Sequence, residues 1–138
     1  MYMTRGYKNN NPLNIRISTG KKWLGEIRPS RDPSFAQFES MAHGYRAAFK
    51  LLDNYRRLHG CSMLSDYIRR WAPPMENDTM AYIRAVAKRS GFADVSTIDT
   101  RNGWQMKRIV AAMSFVENGI EADQQQIDDG WNLFRLHQ

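Results

Sequence analysis

The stretch RGYKNNNPLNIRISTGKKW, residues 5–23, places three asparagines and a proline before an alternating apolar segment. Leu13, Ile15 and Ile17 alternate with polar residues, and residues 18–20, Ser-Thr-Gly, predict a turn. With 23–24 and 35–38 as short partner strands, the pattern predicts a small β-hairpin or three-stranded sheet. The asparagine amides either lock a turn or bind the hydroxyl and acetamido groups of a sugar, and the residues alone leave both open.

After Ser40, apolar residues recur at helical spacing. They predict five helices: 41–59, 63–71, one from 77–79 to near 91, 104–118 and 124–136. Trp71, Trp104 and Trp131 follow the core spacing and are assigned to the core. The fold class predicted is α+β and mainly helical, a single domain over 1–138 with a cleft between the small sheet and the helices.

Composition excludes several classes of protein. One cysteine among 138 residues excludes an internal disulfide, and no Cys/His pairs have zinc-ligand spacing, so we expect no metal and no cofactor. No apolar run is long enough for a membrane span or a signal peptide, which predicts a soluble chain. The net charge of +6 favours a polyanionic partner: nucleic acid, anionic lipid or a cell-wall matrix. Nucleic acid is disfavoured because the basic residues form short groups and the aromatic residues follow core spacing.

Carboxylates are the candidate catalytic groups, since no phosphate loop or nucleophile motif is present and the three histidines are scattered. Glu117 stands out in the last turn of the most apolar helix, where partial burial would suit a general acid. Glu76, Glu26, Asp32 and Glu39 are candidates for a second carboxylate. Each has a purely structural interpretation: a solvated residue beside a helix C-cap for Glu117, helix-capping chemistry for Glu76, and turns for the others.

The chain resembles a group of small phage and prophage proteins, often labelled structural or virion proteins. The shared pattern runs R-G-x-x-N-N-N-P-x-N-I-R, W-x-G, F-x-x-F, G-x-R-A and R-W-A-P-P-x-E-N-x-T-x-x-Y. It covers about three quarters of the chain, and its most specific run is 70–79, RWAPPMENDT. Leu13 departs from the pattern, which usually has Gly there.

A second resemblance is to the lysozyme-like superfamily, particularly flagellar and autolytic glucosaminidases. In those proteins the acid-bearing helix comes first, whereas here Glu117 follows the Asn-rich stretch, which predicts a circularly permuted, lysozyme-like order. The resemblance implies that Glu117 protonates the glycosidic oxygen of peptidoglycan, with Glu76 or Asp32 as further catalytic candidates. It also implies that the sugars are bound by Asn10, Asn11, Asn14, Arg16, Trp23, Asn77 and Tyr82, through hydrogen bonds and ring stacking.

The expected function is therefore that of a phage-type enzyme that cleaves peptidoglycan glycan strands, either a muramidase or a lytic transglycosylase. We expect a monomer that is made in the host cytoplasm, lacks a signal peptide, and acts in the periplasm or is carried in the virion. The alternative is a non-catalytic virion structural or wall-binding protein of the same fold.

Overall fold

This computed structural model describes residues 3–137 of the chain. Within them, loops connect six helices and a two-stranded sheet. In chain order, the elements are α1 (Arg5–Lys8), β1 (Glu26–Ile27), β2 (Gln37–Phe38), α2 (Met41–His59), α3 (Leu64–Trp71), α4 (Thr79–Ser90), α5 (Gly103–Asn118) and α6 (Gln124–Leu136). The predicted α+β, mainly helical fold class is confirmed. Of the predicted domain, 1–138, residues 1, 2 and 138 lie outside the described part.

The five predicted helices form within about one residue of their predicted ends, because local signals set those ends. The Ser40 hydroxyl accepts the His43 N–H at the start of α2, and Gly60 ends that helix at a φ of 67°. The sequence analysis missed α1. That helix has only four residues, too few for an apolar period to show.

The sheet has two strands, as in the predicted small β-hairpin, but the prediction that residues 13–17 form one of them is wrong. Its two strands pair antiparallel, Glu26 opposite Phe38 and Ile27 opposite Gln37, whereas residues 13–17 contribute a single bridge between Arg16 and Phe35. Leu13 and Ile15 are buried as their alternation suggests. Residues 15–17 form two backbone bonds with residues 34–36, Ala36 N–H to Ile15 O and Ile17 N–H to Ser34 O. The pairing goes no further because the Asn11 amide bonds to Ile15 N–H and Ala36 O, the two groups that would pair next.

The core forms where α2 packs against α6 and α4 packs against α5. Phe49, Trp131 and Phe134 pack together there, with the Trp131 ring centroid 5.0 and 5.2 Å from those of the two phenylalanine rings. Trp131 therefore belongs to the core, as predicted. Trp104 does not, since it is 67% exposed at the start of α5.

The N-terminal segment is fastened to the end of α5. The Asn118 amide donates to Pro12 O at 2.8 Å and to Ser114 O at 2.9 Å, and its Oδ1 accepts from the Thr4 hydroxyl at 2.7 Å. Gly6 permits this approach, because a Cβ there would lie 2.6 Å from Asn118 Oδ1. The first and fifth helices thus meet although almost the whole chain separates them.

None of the helices within residues 3–137 is both long enough and apolar enough to cross a lipid bilayer.

Candidate active site

A groove of about 500 Å³ opens between the N-terminal segment, α2 and the α3–α4 connection. We call it the Glu117 groove. Six of the predicted site residues line it: Asn14, Arg16, Trp23, Glu76, Asn77 and Glu117. A larger cavity, about 690 Å³, lies between α4, α5 and α6, but it contains none of the predicted site residues. Its described lining includes one carboxylate, Glu121, which is exposed and ion-paired with Arg89.

Glu117 is half-buried in the last turn of α5, and three side chains from other segments hold its carboxylate. Tyr82 of α4 donates its hydroxyl to Oε2 at 2.8 Å, and Trp71 at the end of α3 donates Nε1–H to the same oxygen at 3.4 Å. Asn14 donates Nδ2–H to Oε1 at 3.1 Å. A carboxyl group has about four lone-pair positions, so three donors orient it and leave room for one proton.

Tyr82 has a different role from the sugar stacking that the resemblance implies. It is 8% exposed, so its ring offers no free face to a ligand. Burial, together with the neighbouring Glu117 carboxylate, raises the pKa of Tyr82 well above its ordinary value. The hydroxyl therefore stays protonated at neutral pH, and it acts as a donor to Glu117 and an acceptor of the Trp71 Nε1–H at 3.1 Å.

Two of the four predicted asparagine ligands hold the loop instead of lining the groove. Asn11 is fully buried: its amide donates to Ile15 O at 2.9 Å and Ala36 O at 2.8 Å, and its Oδ1 accepts the Ile15 N–H. Asn10, at a φ of 51°, donates to Phe38 O at 3.1 Å. These two residues lock the turn, so the structure does not support the prediction that they bind sugar.

Asn14 is the asparagine of the N-terminal segment that reaches the groove. It adopts a φ of 55°, in the left-handed region that asparagine tolerates better than most residues. Its Nδ2 faces Glu117, and its Oδ1 is buried without a hydrogen-bond partner among the described residues. A buried orphan acceptor is rare. This oxygen lies towards Gly6, since a Cβ built there would be 3.0 Å from it, so it belongs to the packing behind the groove wall.

Asp32 lies outside the groove, which corrects its prediction as a second catalytic carboxylate. Arg5 donates Nε–H and Nη2–H to its two oxygens at 2.7 Å each, and these bonds hold the pKa of Asp32 well below its usual value. The backbone N–H groups of Ser34 and Phe35 also donate to its Oδ1, at 2.8 and 3.0 Å. Every one of these contacts organises the loop before β2, so Asp32 has a structural role.

Glu26, another candidate for a second carboxylate, is also held in an ion pair outside the groove. It is buried in β1, where Arg28 donates to both of its oxygens at 3.0 and 3.2 Å. Glu76 is different, because it is exposed on the rim of the Glu117 groove with no side-chain bond to a described residue. Asn77 lies beside it and donates to Pro73 O at 3.3 Å.

Two residues of the site escaped the sequence analysis. Trp71 was assigned to the core, but it is half-buried, lines the groove and donates to Glu117. Asn118 positions the last turn of α5 against the N-terminal segment. The sequence holds no signal for either role, because Trp71 sits at a regular apolar position and Asn118 is a common residue at a helix end.

The described residues, 3–137, bring together no group of three His, Cys, Asp or Glu side chains that could hold a metal ion. The side chains that line the Glu117 groove offer carboxyl, amide, phenol, indole, hydroxyl and guanidinium groups.

Comparison with known proteins relates this chain to a phage protein. No protein-family model matches it. Protein P5 of Pseudoalteromonas phage PM2 is 38% identical over 117 residues, which cover 83% of this chain and 71% of that protein. The chain belongs to the Protein P5 family. Because the aligned part covers most of both proteins, the two share one fold over the greater part of their length.

Proposed function

We propose that this member of the Protein P5 family cleaves the glycan strand of bacterial peptidoglycan, with Glu117 as the general acid. The observation that carries the proposal is the arrangement around Glu117: a half-buried carboxyl on an open groove, oriented by Asn14, Trp71 and Tyr82. Polar and aromatic side chains border the same groove, including Trp23, Arg16 and Asn77. Sugar rings bind to surfaces of this composition through stacking and hydrogen bonds.

In the proposed reaction, Glu117 donates its proton to the glycosidic oxygen as the bond to the anomeric carbon breaks. A lytic transglycosylase needs no second carboxylate, because the same group then accepts the proton of the attacking sugar hydroxyl. A hydrolase needs a second carboxylate, and with Asp32 and Glu26 outside the groove, that residue would be Glu76. The reaction products distinguish the two mechanisms: anhydro sugar ends indicate transglycosylation, and reducing ends indicate hydrolysis.

The packing of α5 supports the lysozyme-like, circularly permuted order within this proposal. The permuted order predicts that the acid-bearing helix packs against the N-terminal sheet. The end of α5 contacts the segment that precedes this sheet, through the bonds of Asn118 with Thr4 and Pro12. The relationship to a phage protein supports a phage origin. Such an enzyme would act on the host cell wall, either from the periplasm or from the virion.

Digestion of purified sacculi by the wild type and by Glu117→Gln tests the proposal, with mass spectrometry of the released muropeptides. We expect the variant to release muropeptides at least about 100-fold more slowly, because an amide cannot donate the proton. The fold should tolerate the change, since rotation of the Asn14 amide would offer its unpartnered Oδ1 to the introduced glutamine amide. Full activity in a folded Glu117→Gln protein would refute the role of Glu117.

The phage relationship is equally compatible with a second function, that of a virion or wall-binding protein without catalysis. This alternative predicts that the wild type sediments with sacculi but releases no muropeptides. It further predicts that Glu117→Gln sediments as the wild type does.

A further inference from the structure

A second cavity of about 550 Å³ adjoins the Glu117 groove and is strongly cationic. Four basic side chains line it, Lys21, Lys22, Arg46 and Lys50, and we call it the cationic pocket. The part of its lining that the structure describes contains no Asp or Glu. The pocket and the groove share Ser18 and Trp23 as wall residues, so the two cavities are neighbours along one surface.

Arg46 shows that this pocket is more than a patch of surface lysines. The residue is 8% exposed, and its Nη2 donates to the backbone oxygen of His137, while its Nε–H is buried with no partner among residues 3–137. A buried guanidinium N–H without an acceptor costs free energy unless a ligand or water supplies one. Residues 3–137 contain two buried side-chain atoms without a partner, Asn14 Oδ1 and Arg46 Nε, and each belongs to a residue that lines one of the adjoining cavities.

The remaining cations are also available to an anion. Lys21 and Lys22 are exposed, and neither forms a salt bridge with a described residue. Burial and the neighbouring Arg57 guanidinium lower the pKa of Lys50, which Asp53 only partly offsets. Asp53 is already bonded to Arg56, Arg57 and Arg101, so it leaves the positive charge of the pocket uncompensated.

We propose that the cationic pocket binds the carboxylates of the peptide stem attached to the glycan strand. This inference rests on the proposed function, since the ligand is chosen because the pocket continues the Glu117 groove. Every muramic acid of peptidoglycan can carry a short peptide with several free carboxylates. A strand lying in the groove would therefore bring such a peptide to Trp23 and the pocket beyond it. The pocket would make the enzyme prefer peptide-bearing strands to bare ones.

Binding of the free tetrapeptide stem, followed by NMR or calorimetry at low ionic strength, tests the pocket without any catalysis. The pocket variant combines Lys21→Gln, Lys22→Gln and Lys50→Gln. Its matched control, Arg69→Gln, Arg84→Gln and Lys88→Gln, removes the same charge from exposed residues outside both cavities. We expect the pocket variant to bind the tetrapeptide about tenfold more weakly and the control to match the wild type.

Three results would overturn the proposal: no binding of the tetrapeptide to the wild type, equal weakening in both variants, or binding of a carboxamide-neutralised tetrapeptide as tight as that of the free acid. Inorganic phosphate is measured in parallel. If phosphate binds and the tetrapeptide does not, the pocket is a phosphate site and the peptide assignment is wrong.

A cleavage assay separates failure of this inference from failure of the proposed function. Sacculi are compared with sacculi stripped of peptides by an amidase, and the ratio of the two rates is measured. We expect the wild type and the control to prefer intact sacculi, and the pocket variant to lose that preference. Equal rates on both substrates would overturn the inference while the proposed cleavage stands. If neither substrate is cleaved, the proposed function is refuted. The tetrapeptide measurement then still shows whether the cationic pocket binds peptide carboxylates.

Discussion

Removal of one hydroxyl group, by Tyr82→Phe, tests the arrangement around Glu117 most directly. That hydroxyl donates to Glu117 Oε2 at 2.8 Å and accepts from Trp71 Nε1 at 3.1 Å. In the variant, Trp71 would keep only its longer contact with the carboxylate, at 3.4 Å. The ring itself remains buried, so the change isolates the hydrogen bonds from the packing of the side chain.

The expected magnitude follows from the number of hydrogen bonds lost. Each bond contributes about 0.5–1.5 kcal/mol to stability, and Tyr82→Phe removes two of them, whereas loss of the Tyr67 hydroxyl removes one. Tyr67→Phe is the matched control, because the similarly buried Tyr67 donates to the backbone oxygen of Cys61, at 3.0 Å. Burial raises the pKa of Tyr67 to about 12, so both phenols are protonated donors at neutral pH.

Urea denaturation at pH 7 measures the free energy of unfolding of the wild type and both variants. We expect Tyr82→Phe to lose about 2 kcal/mol and Tyr67→Phe to lose about 1 kcal/mol. Muropeptide release by Tyr82→Phe should fall about tenfold, because the carboxyl is less well oriented, and Tyr67→Phe should retain its rate. A loss of stability for Tyr82→Phe no larger than that for Tyr67→Phe would refute the pair of hydrogen bonds that the Tyr82 hydroxyl forms with Glu117 and Trp71.

Two further predictions concern residues that support the site. Asn118→Ala removes hydrogen bonds to Pro12, Ser114 and Thr4, so we expect about 2–3 kcal/mol lower stability by urea denaturation; an unchanged midpoint would contradict the docking role of Asn118. Burial opposes the ionisation of Asp53, but bonds from Arg101 and its other donors prevail and lower the pKa of Asp53 to about 2. Because the folded-state pKa lies below the unfolded value of about 4, this stabilisation is complete above about pH 4 and lost as the pH falls to about 2. The stability advantage of the wild type over Asp53→Asn should therefore shrink by about 2 kcal/mol across that window, and an advantage independent of pH would disprove the assignment.

The helices could be predicted closely because their signals are local. Ser40 caps α2 and Gly60 ends it, and the apolar residues between them recur every three or four positions. The strand over residues 13–17 could not be judged in this way. Its alternation correctly predicted that Leu13 and Ile15 are buried, but a buried alternating segment forms a strand only if a partner backbone is free to pair with it.

Within the candidate site, the residue types were more predictable than their roles. Glu117, Asn14 and Trp23 line one groove, as their chemistry suggested. Asn11 and Asp32 carry equally suitable groups, yet these groups already have hydrogen-bond partners. Asn11 bonds to the backbone of Ile15 and Ala36, and Asp32 bonds to Arg5. An amide or a carboxylate has the same sequence signature whether it binds a ligand or fastens a loop, so only its partners in space separate the two.

By itself, the sequence determined the helices, the predominance of helix over strand and the net positive charge of this protein, because spacing, capping and composition act within a few residues or over the whole chain. The tertiary structure alone decided which polar groups meet. Asn14 lies 103 positions from Glu117, and Trp71 and Tyr82 come from two further segments. Their convergence depends on how α3, α4 and α5 pack against the N-terminal segment, and packing over such distances leaves no periodic trace in the sequence.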